Sequence, residues 1–226
     1  MHVRYRWYQI QQPRGSTDLK ALINKCVFSN SVQFGFLTLD DINNGPMYRF
    51  LWRTSVSITK LDDDGVPIYE QIESVCFNDF ALVTIGSIVF LRVENPGRNI
   101  RELLNALESL VGMGFVTKPI TFEKQNPVTI FKDIDISKLI GLKVVGAVID
   151  KDLVAKMEFI SKQGINIENV SILNNIKYTV DLATYELICD GIRGQVTYTT
   201  NGLIKISGQL APKLISIIES DLPNLL

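Results

Sequence analysis

Apolar and polar residues alternate along several stretches of this chain, and a period of two is typical of β-strands. In residues 3–11, a valine and two aromatic residues occupy one side of the predicted strand, whereas Arg4, Arg6 and Tyr8 occupy the other. The same alternation predicts a long strand over residues 47–60. Both predicted strands therefore have one aromatic face and one face that carries arginine.

In the second of these strands the arginine face contains Arg49 and Arg53. Three aspartates and a glycine follow at residues 62–65, and a new strand is predicted over residues 66–75. A calcium loop would need ligands spread over about twelve residues and a terminal bidentate carboxylate. Because a strand resumes at once, the aspartates are interpreted as the turn of a hairpin.

The middle of the chain predicts a strand, a sharp turn and a helix. An apolar strand over residues 80–93 leads into Asn-Pro-Gly at residues 95–97, which is turn chemistry. Asn99 is the predicted N-cap of a helix that ends near Gly112. Three arginines surround this turn, and a helix start favours anions. They are Arg92, Arg98 and Arg101. The alternative is that they only pair with neighbouring glutamates.

The second half of the chain predicts a buried strand over residues 142–149. It also predicts a helix that Asp150 would cap and Gly164 would end, with its apolar face between residues 153 and 160. Short strands follow, including one over residues 165–173. Asn-Gly at residues 201–202 predicts a two-residue hairpin turn. The pattern ends with a helix over residues 212–221.

These elements predict an α+β fold, in which mostly antiparallel sheets are each packed by one or two helices. Two subdomains are expected, because Gln-Asn-Pro at residues 125–127 reads as a boundary. The first, residues 1–126, would carry the arginine-rich face. The second, residues 127–226, would be an antiparallel meander with a terminal helix.

Composition narrows the class of protein. The chain has 226 residues, 46% of them hydrophobic, and a net charge of −1, so no overall field attracts nucleic acid or anionic membranes. Its three cysteines are far apart, which argues against a disulfide framework. No apolar run is long enough for a membrane-spanning helix, and the first residues lack the apolar core of a signal peptide. These features predict a soluble cytoplasmic protein with no membrane partner.

Arginine is unevenly distributed along the chain. Eight of the nine arginines precede Gly112, and arginine is the residue best suited to bidentate contact with phosphate or carboxylate. If the first strand and the strand over residues 47–60 are neighbours, their arginines form one basic patch with an aromatic ring nearby. The predicted contact residues are Arg4, Arg6, Tyr8, Arg49, Arg53, Arg92, Arg98 and Arg101.

Most catalytic chemistry is disfavoured. The only histidine is His2, so the usual general base and most zinc sites are missing, and the common nucleotide-binding loops and Cys-x-x-Cys are absent. No cofactor is expected. Two pairs of aspartates are the raw material for a magnesium site and leave a metal-dependent hydrolase or nuclease as an alternative. They are Asp133, Asp135, Asp150 and Asp152.

The sequence therefore predicts a non-enzymatic binding or adaptor subunit that contacts nucleic acid or an acidic protein surface through the arginine-rich face of its N-terminal half. Such a subunit would suit a bacterial nucleic-acid-handling or phage-defence complex. A second alternative is a structural subunit that forms homo-oligomers through a sheet edge.

Overall fold

A computed structural model describes residues 2–39, 46–97, 99–122, 130, 134, 136–207 and 209–226. Within these residues eleven β-strands account for most of the regular structure. The strands are β1 (His2–Gln11), β2 (Phe34–Leu39), β3 (Met47–Leu61), β4 (Pro67–Ile85), β5 (Ile88–Glu94), β6 (Val116–Pro119), β7 (Ile136–Asp150), β8 (Leu153–Ile160), β9 (Thr179–Cys189), β10 (Ile192–Thr199) and β11 (Leu203–Ser207). The α-helices are α1 (Leu19–Lys25), α2 (Ile100–Val111) and α3 (Ala211–Asp221).

The α+β prediction is wrong. The described strands belong to one sheet, in the order β2-β3-β4-β5-β1-β11-β10-β9-β7-β8, and β6 pairs with β1. The sheet is mostly antiparallel, and only three α-helices accompany it. Tight turns connect many of its strands, and strands joined in this way pair with each other. The strands therefore form one continuous sheet instead of two sheets that each pack against helices. Two of these turns use left-handed backbone at Gly86 and Gly191.

The chain divides into two compact units, each assembled from separate segments. The first unit comprises Met1–Gln9, Val83–Glu94 and Lys118–Leu226. In it β1 pairs antiparallel with β11, and α3 packs on β11. Its core joins side chains from all three segments, including Trp7, Phe90 and Leu214.

The second unit comprises Ile10–Leu82 and Asn95–Thr117. Here α1 contacts both α2 and β2, and β3 pairs with β2 on one side and β4 on the other. Aromatic rings dominate its core, as shown by Phe50 and Phe80, which both contact Phe36. The predicted boundary at residues 125–127 lies outside the described residues.

Several local predictions are confirmed. The long strand from residue 47 is β3, and Asp62 closes the hairpin to β4 by accepting hydrogen bonds from the backbone N–H groups of Asp64 and Val66. The helix after Asn99 is α2, although the Asn99 side chain makes no capping hydrogen bond. The terminal helix also forms. The hairpin at residues 201–202 forms as well, but its loop has three residues, 200–202, rather than two, because Tyr198 faces Ile204.

Other local predictions are wrong. Residues 153–160 form β8 rather than a helix, because their backbone pairs with β7 and Met157 and Phe159 point to its partly buried side at strand spacing. The strand predicted over residues 80–93 is interrupted after Ile85 by a turn at Gly86. The strand predicted over residues 165–173 is instead two short 3-10 helices, Ile167–Asn169 and Ser171–Leu173.

Candidate protein-binding site

The β3–β4 hairpin extends well past the strand that flanks it. β3 and β4 pair continuously from Met47 opposite Ala81 to Leu61 opposite Pro67. β2 pairs with β3 only as far as Trp52. Residues 55–73, called the arm from here on, are all exposed except Ile58, which is half-buried. An isolated two-stranded hairpin is at best marginally stable in water. Packing of another molecule on an exposed apolar face would therefore stabilise it.

One face of the arm is apolar. Residues that face each other in an antiparallel pair lie on the same side of the sheet. Val56 lies opposite Ile72, and Lys60 lies opposite Ile68, on the side where Trp52 is buried. Val56, Ile68 and Ile72 are 45%, 51% and 42% exposed. The aromatic side of β3 therefore continues into solvent as an aliphatic stripe, which the Lys60–Glu70 ion pair interrupts between Ile72 and Ile68.

The opposite face of the arm is mainly polar. It carries serine, threonine, glutamine and glutamate side chains, together with the ring of Tyr69 and, next to the tip, Leu61 opposite Pro67. This difference between the two faces makes the arm amphipathic, as expected for an element that docks on one side only.

The tip and flanks of the arm are acidic. The arm contains five acidic residues and one basic residue. Lys60 forms an ion pair with Glu70, and Glu73 lies 3.5 Å from the Arg53 guanidinium. The remaining acids are the three aspartates of the tip, Asp62, Asp63 and Asp64. The charge that the arm offers to a partner is therefore negative.

In the second unit, two predicted contact arginines are paired with acids at the base of the arm. Arg49 donates two hydrogen bonds to the Asp79 carboxylate, at 2.7 and 2.8 Å, and stacks over the Phe77 ring. The hydrogen bonds to Asp79 raise the pKa of Arg49 above its usual value. Arg49 and Arg53 share one face of β3, as the sequence pattern predicts.

Arg53 donates to two backbone carbonyls, those of Val32 and Asn30, in addition to its contact with Glu73. Its guanidinium therefore holds the loop before β2 in place. Arg101 is exposed on α2. Arg98 lies outside the described residues.

In the first unit, Arg4 and Arg6 lie on one face of β1. Arg4 is exposed opposite Lys205 of β11, while Arg6 donates to the Asn201 carbonyl at 3.0 Å and lies over the Tyr8 ring. Tyr8 is buried, and this burial raises the pKa of its hydroxyl against the opposing effect of Arg6.

Arg92 is part of the core of the first unit. Its side chain is 1% exposed and donates to the Glu219 carboxylate at 2.9 Å, with Glu94 at 3.9 Å. Buried in this way, Arg92 does not reach a partner. Because β4 and β5 separate β3 from β1 in the strand order, the arginine faces of β1 and β3 are not on neighbouring strands.

The carboxylates proposed for a metal site are not gathered in the part of the chain that the structure describes. Asp150 ends β7 and Asp152 lies in the turn that leads to β8, and Asp150 accepts a hydrogen bond from the backbone N–H of Lys151. Asp133 and Asp135 lie outside the described residues. Among the described residues, no three histidine, cysteine or carboxylate side chains come together as metal ligands.

The projection of the arm is the candidate binding feature that sequence reasoning missed. The hairpin itself was predictable from its turn residues and from the alternation on both sides. Its projection was not, because the pattern of Val56 and Ile72 is the same for a strand in a sheet and for one beyond its edge. The available signal was length, since β3 has 15 residues and β4 has 19, whereas β2 has 6.

No protein-family model matches this chain, and no curated protein matches it as a relative. Within the described part of the chain, none of the helices has the length and apolar character needed to cross a membrane.

Proposed function

We propose that this protein is a non-enzymatic, cytoplasmic binding subunit that attaches to a different protein through the apolar face of the arm. The observation that carries this proposal is the exposure of Val56, Ile68 and Ile72 on one face of a two-stranded hairpin, where Val56 faces Ile72 directly and Ile68 lies beyond Glu70. Covering large aliphatic side chains favours association by about 25 cal/mol for each Å² removed from water. The arm supplies this surface on an element whose two strands are already paired with each other.

The charge of the arm defines the chemistry of the partner. The three tip aspartates would repel an acidic surface or nucleic acid and attract a basic one. The partner is therefore a protein whose groove is apolar along its length and basic where it meets the tip. The arginine distribution in the sequence predicts a partner of opposite charge, namely an acidic one.

A second copy of the chain fits the arm less well. Seven residues of each strand give a face about 24 Å long and about 10 Å wide, or roughly 240 Å². A stable interface buries about 800 Å² on each side. Two arms meeting face to face would fall short, and each would bring its own acidic tip. A groove that encloses the arm covers the apolar face and the tip together.

Site-specific photo-crosslinking in the native host tests this proposal. A benzophenone amino acid would be placed in the full chain at Ile72, on the apolar face, and separately at Gln71 on the polar face as a control. We expect one defined protein adduct from position 72 and none from position 71. The adduct partner, once purified, should bind the wild-type chain, and Ile72→Glu should weaken binding at least about tenfold, whereas Gln71→Glu should not.

Three results would overturn the proposal. They are the absence of a position-72 adduct, an adduct with a second copy of this chain, and equal binding by the Ile72→Glu and Gln71→Glu variants. Added salt gives a further check. Because the tip is acidic, affinity for the true partner should fall as salt screens it.

Basic side chains on β1 and β11 support nucleic acid as a second candidate partner. Arg4 lies directly opposite Lys205 on the exposed side of β1 and β11, and Arg6 follows on the same side. These three side chains place positive charge on one side of the sheet, which is what contacts with a phosphate backbone require. Such contacts would suit the accessory role in nucleic-acid handling or phage defence that the sequence predicts.

Fluorescence anisotropy with single- and double-stranded oligonucleotides at low salt tests this second candidate. Binding should weaken in Arg4→Ala and Lys205→Ala variants and should fall steeply with salt. Lys118→Ala, which removes an exposed lysine outside β1 and β11, is the matched control. Undetectable binding at low salt eliminates this candidate.

A further inference from the structure

A cleft of about 310 Å³ opens in the second unit at the base of the arm. Its floor is aromatic, formed by Phe34, Phe50 and Trp52. The rings of Phe50 and Trp52 stack, with centroids 5.1 Å apart and planes inclined by 19°. One side of α2 forms the polar wall, through Glu102, Asn105 and Ser109.

Among the described residues that line this cleft, the charge that has no partner is negative. Arg53 also lines it, but the Arg53 guanidinium is held by two carbonyls and by Glu73. The Glu102 carboxylate has no hydrogen-bond or ion-pair partner among the described residues. A carboxylate beside stacked rings is the environment that favours a planar cation, since guanidinium groups stack on aromatic faces and pair bidentately with carboxylates.

The cleft has the size for a single side chain. Pockets for drug-sized ligands span about 300 to 1,000 Å³, and this cleft lies at the lower limit. Trp52 also lies on the same side of β3 as Val56, four residues along the strand and about 13 Å away. A segment that covers the aliphatic stripe of the arm would therefore reach the cleft with a residue about four positions further along.

From this arrangement we propose that the cleft receives an arginine side chain of the partner, stacked against the aromatic floor and paired with Glu102. This inference rests on the proposed function, and it adds the identity of the anchoring residue. The partner segment would be an extended strand with alternating apolar residues and an arginine about four residues from the one that covers Val56. The acidic tip and the Glu102 carboxylate would then select the same basic partner at two separate points.

Nuclear magnetic resonance of the two tryptophan indole N–H groups tests this proposal on the full chain. The Trp52→Phe variant assigns the Trp52 signal, leaving that of Trp7. The probes are acetyl-arginine amide and an extended leucine/threonine peptide that carries one arginine, each compared with the same molecule carrying citrulline. Citrulline keeps the shape of arginine and removes its charge.

We expect the arginine probes to shift the Trp52 signal and leave that of Trp7 unchanged. The citrulline probes should bind at least about tenfold more weakly, because the charge-assisted hydrogen bonds are lost. Glu102→Gln should cause a similar loss. Glu108→Gln, at an exposed glutamate of the same helix outside the cleft, should cause none.

The outcomes separate this proposal from the proposed function. Equal binding of arginine and citrulline, an unaffected Glu102→Gln variant, or no binding of either arginine probe would overturn the arginine site. The crosslink from position 72 would remain valid in each of these cases. Conversely, Ile72→Glu should weaken the peptide and leave acetyl-arginine amide unaffected, since the small probe does not reach the arm.

Discussion

Glu219 is the hydrogen-bond acceptor for two buried side chains of the first unit. Its Oε1 atom accepts hydrogen bonds from the indole N–H of Trp7 at 3.2 Å and from Arg92 at 2.9 Å. A buried ion pair contributes little net stability over an apolar pair of the same volume, yet removal of one partner leaves a buried charge and is costly. Arg92 therefore depends on this carboxylate, with Glu94 as a more distant second acid.

We predict that Glu219→Ala lowers the free energy of unfolding by about 3–5 kcal/mol, because it removes the carboxylate that pairs with the buried Arg92 guanidinium at 2.9 Å. Urea denaturation of the full chain measures this value. Glu186→Ala is the matched control, since Glu186 pairs with the largely exposed Arg193 and should cost about 1 kcal/mol or less. Equal costs for the two variants would contradict the buried role of Glu219.

Residue type alone does not show which of the predicted contact arginines are exposed. Arg92 and Arg101 both surround the same predicted turn, yet the first is buried in an ion pair and the second is exposed. The alternative that these arginines pair with nearby glutamates describes Arg92, which lies near Glu94. Its stronger partner is Glu219, 127 residues away, and no local pattern points to a contact at that separation.

At the scale of elements, the arm combines a complete set of strand-pair hydrogen bonds with few contacts to the remainder of its unit. Its residues are exposed on both faces, apart from half-buried Ile58. An element with so little buried surface contributes little to the stability of the fold, and elements that bind partners are often of this kind.

We predict that the arm is dispensable for folding. Replacing residues 55–73 by Asn-Gly joins Thr54 to Ser74, which face each other in the register, through a two-residue hairpin turn. Because the removed residues are exposed, the stability should change by about 1 kcal/mol or less. Thermal unfolding followed by circular dichroism measures the change.

Gly35→Ala is the control for this deletion. A Cβ atom at Gly35 would lie 2.5 Å from the backbone N of Phe28, so this substitution should clearly lower the melting temperature. If the shortened chain loses its cooperative transition while Gly35→Ala retains it, the arm is a structural element rather than a binding one.

At the scale of the whole molecule, neither compact unit is a continuous stretch of chain. The first unit needs β1 and the segment Val83–Glu94 in addition to its C-terminal portion. β1 provides the neighbour of β11, and Trp7 and Phe90 contribute to the core of this unit. A fragment that lacks these segments loses a paired strand edge and part of the core.

We predict that residues 127–226 do not fold alone. Expressed by itself, this fragment should show no cooperative unfolding transition, because β11 would lose β1, one of its two partners, and the core would lack Trp7 and Phe90. Co-expression with residues 1–126 should restore a folded, co-purifying pair. Circular dichroism and co-purification measure the two outcomes. Cooperative unfolding of the isolated fragment would instead support an independent C-terminal subdomain.

The sequence by itself determined the features that depend on near neighbours. Alternation determined β1 and β3, and turn chemistry determined the hairpins at Asp62 and at Gly202, because side-chain period and backbone preference act over a few residues. The aromatic side of β3 was predictable for the same reason.

Only the tertiary structure decided which strands are neighbours and which faces stay exposed. Residues 153–160 satisfy both a helical and a strand pattern, and pairing with β7 selects the strand. Val56 and Trp52 have the same alternation, and yet the first is exposed and the second buried. Burial depends on what packs against a residue from distant parts of the chain, and periodicity records only that one side of a strand is apolar, not whether anything covers it.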